Sequence, residues 1–453
     1  MTEYDIDTET SHPSDERKGC DLMKKTNLIS AMLAALLAVS VTGCGKAQTT
    51  GGTSAVQKTQ DTVSAKSSAE GEVVALSQNA ASSEESGGLF TKRDLAQKAD
   101  TSGAQAVTVS DGQTIDITAE GVYVLSGTAA DCTVKVSADK NAKVQLVLDG
   151  VHVTNSDFPV IYVVSADKVF VTTTDSENTL TVSGQFTADG DTNTDAVIFS
   201  KDDLTLNGTG TLNIVSNSGN GITCKDDLKI TGGTCNVRSA LDAIEANDSI
   251  SVCDGVFTIS TNKDGLHCEN DETEGTVTIT GGTFTVNAKS DGIQAAALLQ
   301  IDGGSVTVTA SEGLEAAYVR INDGTVNISA TDDGINASNK SRSVSTPTVE
   351  INGGEVTITM SGSDVDAVDA NGNILVTGGT VDITYPQQGP SESFDCDGTA
   401  SYNGGTIIIN GQQVSEIPQS MMGGGGMRGG RMGGSMQGGN MQGGFGGRQN
   451  RSL

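Results

Sequence analysis

Eight glycine-led strand starts keep one phase between residues 233 and 405, and no other feature limits the fold as tightly. "ITGGTCNV", "ITGGTFTV", "IDGGSVTV", "INGGEVTI", "VTGGTVDI" and "YNGGTIII" each set a Gly pair before an alternating segment. The second Gly of each pair is Gly233, Gly282, Gly304, Gly354, Gly379 or Gly405, and Gly255 and Gly324 fill the gaps. Successive spacings are 22, 27, 22, 20, 30, 25 and 26 residues. Periods near 22 with strand-type alternation match a three-strand coil, one rung of a parallel β-helix.

The side chains two places past that Gly are Cys235, Phe257, Phe284, Val306, Val326, Val356, Val381 and Ile407. All are apolar, as an inward-facing column requires. Gly precedes each strand because a tight corner often needs positive φ. Aromatic residues make up 3% of the chain and Trp is absent, so a core built on large rings is unavailable. Val, Ile, Leu and Ala suit stacked strands instead. The sequence therefore predicts an all-β fold, a single right-handed parallel β-helix over 105–413 with about a dozen rungs of roughly 22 residues. "AEGVYVLSGT", "AKVQLVLDGVHV" and "DKVFVTTTDSENTLTVSG" read as earlier, less regular rungs, as expected near a capped end.

A second repeat runs in step with the first. "DGLHC", "DGIQA", "EGLEA", "DGINA" and "DAVDA" share an acid–small–apolar–polar–small pattern. Its first position holds Asn220, Asp242, Asp264, Asp291, Glu312, Asp333, Asp366 and Glu392; three residues on lie Thr223, Glu245, His267, Gln294, Glu315, Asn336, Asp369 and Asp395. Equivalent residues on neighbouring rungs sit about 4.8 Å apart, so a carboxylate column is costly unless water or cations screen it. Ca2+ takes six to eight oxygen ligands and suits such a column. The candidate metal ligands are Asp242, Glu245, Asp264, Asp291, Glu312, Glu315, Asp333, Asp366, Asp369, Glu392 and Asp395. A solvated acidic edge that holds no ion is the alternative. The formal net charge of -30 excludes nucleic acid as a partner, since phosphates would be repelled.

The stretch from Met23 carries Lys24 and Lys25, an apolar run from Leu28 to Val41, and then Val41-Thr42-Gly43-Cys44. That order resembles a bacterial lipoprotein signal, with Cys44 as the lipidated residue. Residues 1–22 hold seven acids and two bases, the wrong flank for such a signal, so 1–22 reads as an upstream extension and 23–44 as the signal peptide. Residues 45–104 read as a flexible linker and 414–453 as a disordered Gly/Met-rich tail. The expected location is the extracellular face of a bacterial membrane, held there by the lipid.

Cys224 and Cys268 share a column two rungs apart, about 9.6 Å by strand spacing, too far for a disulfide. They read as small buried hydrophobes interchangeable with Ala. His267 takes the polar position of the ladder and reads as an exposed rung residue. The order Asn193-Thr194-Asp195, Asp202-Asp203, Gly265-Leu266-His267 and Arg320-Ile321-Asn322 parallels galacturonase motifs, but the second follows the first too closely and the last two are altered. A lyase would need a base such as Arg238, Lys263, Lys289 or Arg320 beside a Ca2+-held uronate. No catalytic residue is assigned.

"VQLVLDGVHV", "PVIYVVSADKVFVTTTD", "AVIFSKDDLTLNGTGTLNI", "GITCKDDLKITGG" and the repeated D-G-I resemble bacterial surface proteins described as carbohydrate-binding domain-containing. The resemblance covers about 105–413 and implies a right-handed β-helix, similar to pectate lyases, that binds Ca2+ and polysaccharides such as cellulose and polygalacturonate. With no Trp and six Tyr, a flat aromatic strip for ring stacking is missing, and Tyr318, Tyr385 and Tyr402 remain for single sugars. Acidic glycans bridged by Ca2+ fit the residues better. A polyuronate lyase or hydrolase, and a structural adhesin, stay open as alternatives.

Overall fold

The computed structural model describes residues 88–270, 274–387 and 389–418. The expected signal peptide with Cys44, the linker up to residue 87 and the tail from 419 onward lie outside the described residues. Among the described residues all regular structure is strand. Three strands make each regular rung, for example Asp291–Ala295, Leu298–Ile301 and Ser305–Ala310, followed by Glu312–Ala316, Tyr318–Ile321 and Thr325–Ala330. Each strand pairs in parallel with its counterpart one rung on. The chain is a parallel β-helix.

The first strand of each rung joins a 12-stranded sheet, here the ladder face. The second and third strands belong to a 24-stranded sheet and form the second and third faces. The column from Cys235 to Ile407 stays in unbroken register through seven successive pairings. Its members are buried, and the Phe257 and Phe284 rings stack with centroids 4.3 Å apart. The glycines leading these strands all have positive φ, 85° at Gly304. A Cβ there would also fall 2.7 Å from the Gly282 carbonyl oxygen of the preceding rung, so conformation and packing both demand glycine.

The first rungs are irregular in a definite way. Lys143–Asn155 is one long strand spanning two faces, since it pairs with both Lys168–Thr173 and Glu177–Val182. At the other end Gln412–Val414 folds back antiparallel on Thr406–Ile409, with Ile417 buried beyond it. This hairpin covers an edge that would otherwise offer unpaired backbone groups.

The linker expectation needs correction at its end, because residues 88–104 include a segment fixed to the second face. Asp94 is fully buried and accepts from Lys168 Nζ at 3.1 Å and Thr205 Oγ1 at 2.9 Å, with Lys229 Nζ 3.8 Å away. Gln97 Oε1 accepts the Gly208 N–H at 2.9 Å. Burial pushes the Asp94 carboxyl up, but Lys168 and the Thr91 N–H outweigh it and hold the pKa below its ordinary value. A Ser/Ala-rich composition concealed one buried acid with two cations waiting for it.

Candidate functional site

The ladder aligns as its sequence pattern requires. Asp291 pairs with Glu312, Asp333 with Asp366, and Asp366 bridges to Glu392. In the second column Thr223, Glu245, His267 and Gln294 follow one another, then Glu315, Asn336, Asp369 and Asp395. The intervening Ile222, Leu266, Ile293 and Leu314 are fully buried, as are Cys224 and Cys268, both free thiols. Apolar burial on one side of the strand thus sets the acids on the other.

Most first-column acids also have a backbone task. Asp242 Oδ1 accepts the N–H of Asp264 at 3.0 Å, and Asp264 Oδ1 accepts that of Asp291 at 3.0 Å. Asp333 Oδ1 takes the Asp366 N–H at 3.3 Å, and Asp366 Oδ1 the Glu392 N–H at 2.8 Å. The carboxylate replaces a carbonyl where the next strand begins, so a buried N–H is not left without an acceptor.

Charge is handled differently along the ladder. Asp242, Asp264 and His267 present ligand atoms within 4.8 Å of one another. Lys263 Nζ lies 2.7 Å from Asp242, and His267 Nδ1 lies 3.3 Å from Asp242 and 3.5 Å from Asp264. Burial disfavours charge on Asp242, yet the His267 and Lys263 hydrogen bonds prevail and hold its pKa down. Burial likewise opposes charge on His267, but Asp242 prevails and raises its pKa. His267 is largely enclosed rather than exposed, with its side chain 16% accessible. Glu245 pairs with Lys225 at 2.9 Å and accepts from Thr223 at 3.1 Å. Asp242, Glu245 and Asp264 therefore have protein cations as partners.

Asp291, Glu312 and Glu315 form a second group within 4.8 Å, with Lys340 paired to Glu315. Burial first, and then the charges of Asp264, Glu312 and Glu315, raise the Asp291 pKa. The third group is Asp366, Asp369 and Asp395. Among the described residues no Lys, Arg or His approaches these three within ion-pair distance. Burial followed by the Asp395 charge pushes Asp369 up to about 6; Asp366 also rises to about 6, with burial the largest cause. Asp333 lies in register beside this group and is pushed up to about 7 by burial, Asp369 and Glu312. Glu392 joins the column through its bridge to Asp366.

Sequence reasoning missed a fourth group, Asp203, Asp226 and Asp227, where the ladder face turns into the second face. Burial and like charges raise Asp226 to about 7, and burial raises Asp203 to about 6. The signal was present as "KDDL" at 201–204 and again at 225–228, one rung apart. The galacturonase-like order does not converge. His267 belongs to the ladder face, whereas Arg320 lies on the second face, bound to Glu350 at 2.7 Å with its guanidinium over the Tyr318 ring.

Stacked parallel rungs carrying grouped carboxylates on one face define a β-helical protein with acidic groups able to hold a metal ion. The family model described as carbohydrate-binding domain-containing protein matches residues 111–318 and 312–420. The chain belongs to that family. A protein of the same description from Acetivibrio thermocellus is 35% identical over 128 residues, which are 28% of this chain and 45% of that relative. The match thus spans less than half of the relative's length. A solved structure from C. thermocellum, described as a polysaccharide lyase-like protein in a gadolinium derivative, is 24% identical. It covers 66% of this chain and 98% of its own, with a TM-score of 0.33.

Proposed function

We propose that this protein binds polysaccharide without cleaving it, at the extracellular face of a bacterial membrane to which Cys44 anchors it by lipid, and that Ca2+ on the ladder face bridges it to acidic glycans such as polygalacturonate. The observation that carries the calcium assignment is the group Asp366, Asp369 and Asp395, whose oxygens lie within 4.8 Å with no protein cation among the described residues. Ca2+ binds oxygens at about 2.3–2.6 Å, so two ligands of one ion lie no more than about 5 Å apart. The group fits that limit. An ion held there also reverses the local charge and lets a second anion, a uronate carboxylate, approach.

Two of the four candidate bases support the non-catalytic reading. Lys263 is bound to Asp242 and Arg320 to Glu350; burial is outweighed by Asp242 at Lys263 and by Tyr318 and Glu350 at Arg320, which raises both pKa values, so neither is poised to take a proton. The test is retention of the full chain on immobilised polygalacturonate with Ca2+ and with EDTA, alongside an assay for unsaturated or reducing sugar ends. Ca2+-dependent retention without new ends is expected. Retention that ignores EDTA would refute the bridging ion, and release of ends would refute the non-catalytic reading.

A further inference from the structure

The corner from the ladder face to the second face is short where the ladder is most regular. Residues 296–297 make it after Asp291–Ala295, and Ala317 alone makes it after Glu312–Ala316. After Asp333–Ala337 the chain instead runs through residues 338–347, "SNKSRSVSTP", before it re-enters the coil at Thr348–Ile351. That segment carries Lys340 and Arg342 and no acid, so its charge is opposite to that of the face it borders.

Two carboxylates hold it. Ser338 Oγ donates to Glu315 Oε1 at 2.9 Å and Lys340 Nζ is bound to Glu315 Oε2, so this segment takes both oxygens of one ladder acid. In the amide orientation that satisfies its hydrogen bonds, Gln294 also accepts from Lys340 and donates to Asp291 Oδ2 at 3.2 Å. Lys340 thereby ties together two members of the Asp291, Glu312 and Glu315 group. Farther along, Glu274 accepts the Arg342 N–H at 2.7 Å, the Ser343 N–H at 3.0 Å, Ser343 Oγ at 2.5 Å and the Ser341 hydroxyl. Thr276 is in register with Leu298, Leu298 with Tyr318 and Tyr318 with Thr348. The segment therefore reaches back across three rungs, about 14 Å, to meet Glu274.

This is a strap latched at two points with little apolar anchorage. Pro347 is buried and Val344 half-buried, and 338–347 holds no other apolar side chain. Hydrogen bonds and an ion pair secure it rather than a share of the core, the makeup of an element that opens locally. The two partners at the first latch are unequal. The Lys340 side chain is 33% accessible and that of Glu315 only 6%. Lys340 can return to water on its flexible stem, whereas Glu315 stays enclosed on its strand and needs another cation once Lys340 has gone.

We infer that residues 338–347 form a strap that gates the ladder, with the Lys340 ammonium occupying the Asp291, Glu312 and Glu315 group until a cation from solvent replaces it. The inference rests on the calcium reading of the ladder face and adds its regulation. The Asp366, Asp369 and Asp395 group has no protein cation among the described residues and is open. The strapped group is available only in the fraction of molecules whose strap has lifted, which lowers its apparent affinity by that fraction. Calcium thus fills the open group first and the strapped group at higher concentration, and the bridging surface lengthens along the stack as calcium rises.

The test is calorimetric titration of the full chain with Ca2+, beside the variants Lys340→Met and Glu274→Asn. Lys340→Met keeps the stem and removes the charge. Glu274→Asn cuts the far latch without touching the strapped group, and Asn tolerates the φ of 59° at that position. A tighter and a weaker class of sites are expected in the wild type. With the strap closed about ten times as often as open, Lys340→Met should tighten the weaker class about tenfold, and Glu274→Asn should tighten it about threefold or more. The second variant decides, because removing an acid by charge alone weakens the pull on a cation. Unchanged or weaker calcium binding in Glu274→Asn would overturn the inference. Trypsin gives an independent readout, since Lys340 and Arg342 are cleavage points within the strap. Calcium should speed cutting there in the wild type, whereas a bound ligand ordinarily protects; equal or slower cutting would overturn the inference. Calcium binding identical in all three chains would overturn the strap and leave the open group standing. Binding in Lys340→Met but not in the wild type would uphold the strap and refute the open group, and no binding in any of the three would overturn both.

Discussion

Consider Asp369→Asn. Asp369 offers an oxygen within 4.8 Å of oxygens of Asp366 and Asp395. Two unit charges at that distance repel by about 1 kcal/mol in bulk water and by about 3–4 kcal/mol at an effective dielectric constant near 20. All three residues are only half-buried, which discounts the upper figure, and near pH 8 Asp366 and Asp369 are ionised because their raised pKa values are about 6. The substitution should therefore stabilise the calcium-free protein by about 1–2 kcal/mol near pH 8, the reverse of the usual effect of replacing a native residue. With Ca2+ the order should invert. A site filled at a hundred times its dissociation constant adds about 2.7 kcal/mol, and the variant, short of one ligand, should keep less than half of that gain.

The pH dependence has a fixed sign. Asp366 and Asp369 have folded pKa values above the ordinary value, so the folded state binds more protons and calcium-free stability rises as pH falls from about 7 toward 4. The calcium gain should fade over the same range as protons displace the ion. Melting followed by circular dichroism in EDTA and in Ca2+ reads the global change. Amide exchange in Asp366–Ala370 reads it locally, which matters because stacked rungs can open separately. A variant less stable than wild type in EDTA, or one that gains as much from Ca2+, would refute the reasoning.

Asp94→Ala leaves Lys168 and Lys229 facing an empty site, so the clasp should weaken by about 3–5 kcal/mol, seen as faster proteolytic cutting within residues 88–104. Gly304→Ala puts a Cβ on a backbone of φ 85° and 2.7 Å from a carbonyl oxygen, and should lower stability by about 2 kcal/mol or more in denaturant unfolding. Phe284→Ala removes half of the ring stack and should cost about 3–5 kcal/mol, whereas Cys268→Ala, in a column that already alternates with Ala246 and Ala295, should cost less than about 1.5 kcal/mol. Both are read from denaturation midpoints.

The fold was legible because a stack repeats its constraints. Gly before each strand and an apolar residue two places later recur often enough to fix phase, and phase fixes register in a parallel coil. The columns from Cys235 to Ile407 and from Asn220 to Glu392 could be aligned from spacing for that reason. Contacts made once left no such trace. Asp94 reaches Thr205 across 111 residues of sequence, and an Asp outside the repeats has no period to announce it. The partners of the ladder acids were hidden for the same reason. Lys263 precedes Asp264 directly, but its carboxylate contact at 2.7 Å is to Asp242 in the rung before. Lys340 reaches Glu315 from the segment between Asp333–Ala337 and Thr348–Ile351, which is longer than the same connection in the two preceding rungs.

Why the later rungs keep an acid, and not merely an acceptor, follows from comparing the ends of the stack. The N–H that Asp264 accepts in one rung is the kind that Asn155 Oδ1 accepts from Cys132 at 2.8 Å, and Asn178 Oδ1 from Val151 at 2.9 Å, in the early rungs. Away from the ladder columns, an amide oxygen thus accepts a backbone N–H without bringing a charge. From Asp242 onward the first ladder position is acidic, and the chain must compensate each time or bear the repulsion. Lys263 and His267 compensate Asp242 and Asp264, and Lys340 compensates Glu315. At Asp366, Asp369 and Asp395 no described side chain does so, and Asp366 and Asp369 rise to about 6, through burial first and then the neighbouring acid charges. Backbone hydrogen bonding accounts for an acceptor at these rungs but not for the charge. On the proposed reading a hard cation drawn from solvent would account for the charge, and a cation held by three oxygens would keep open positions for a ligand from outside the protein.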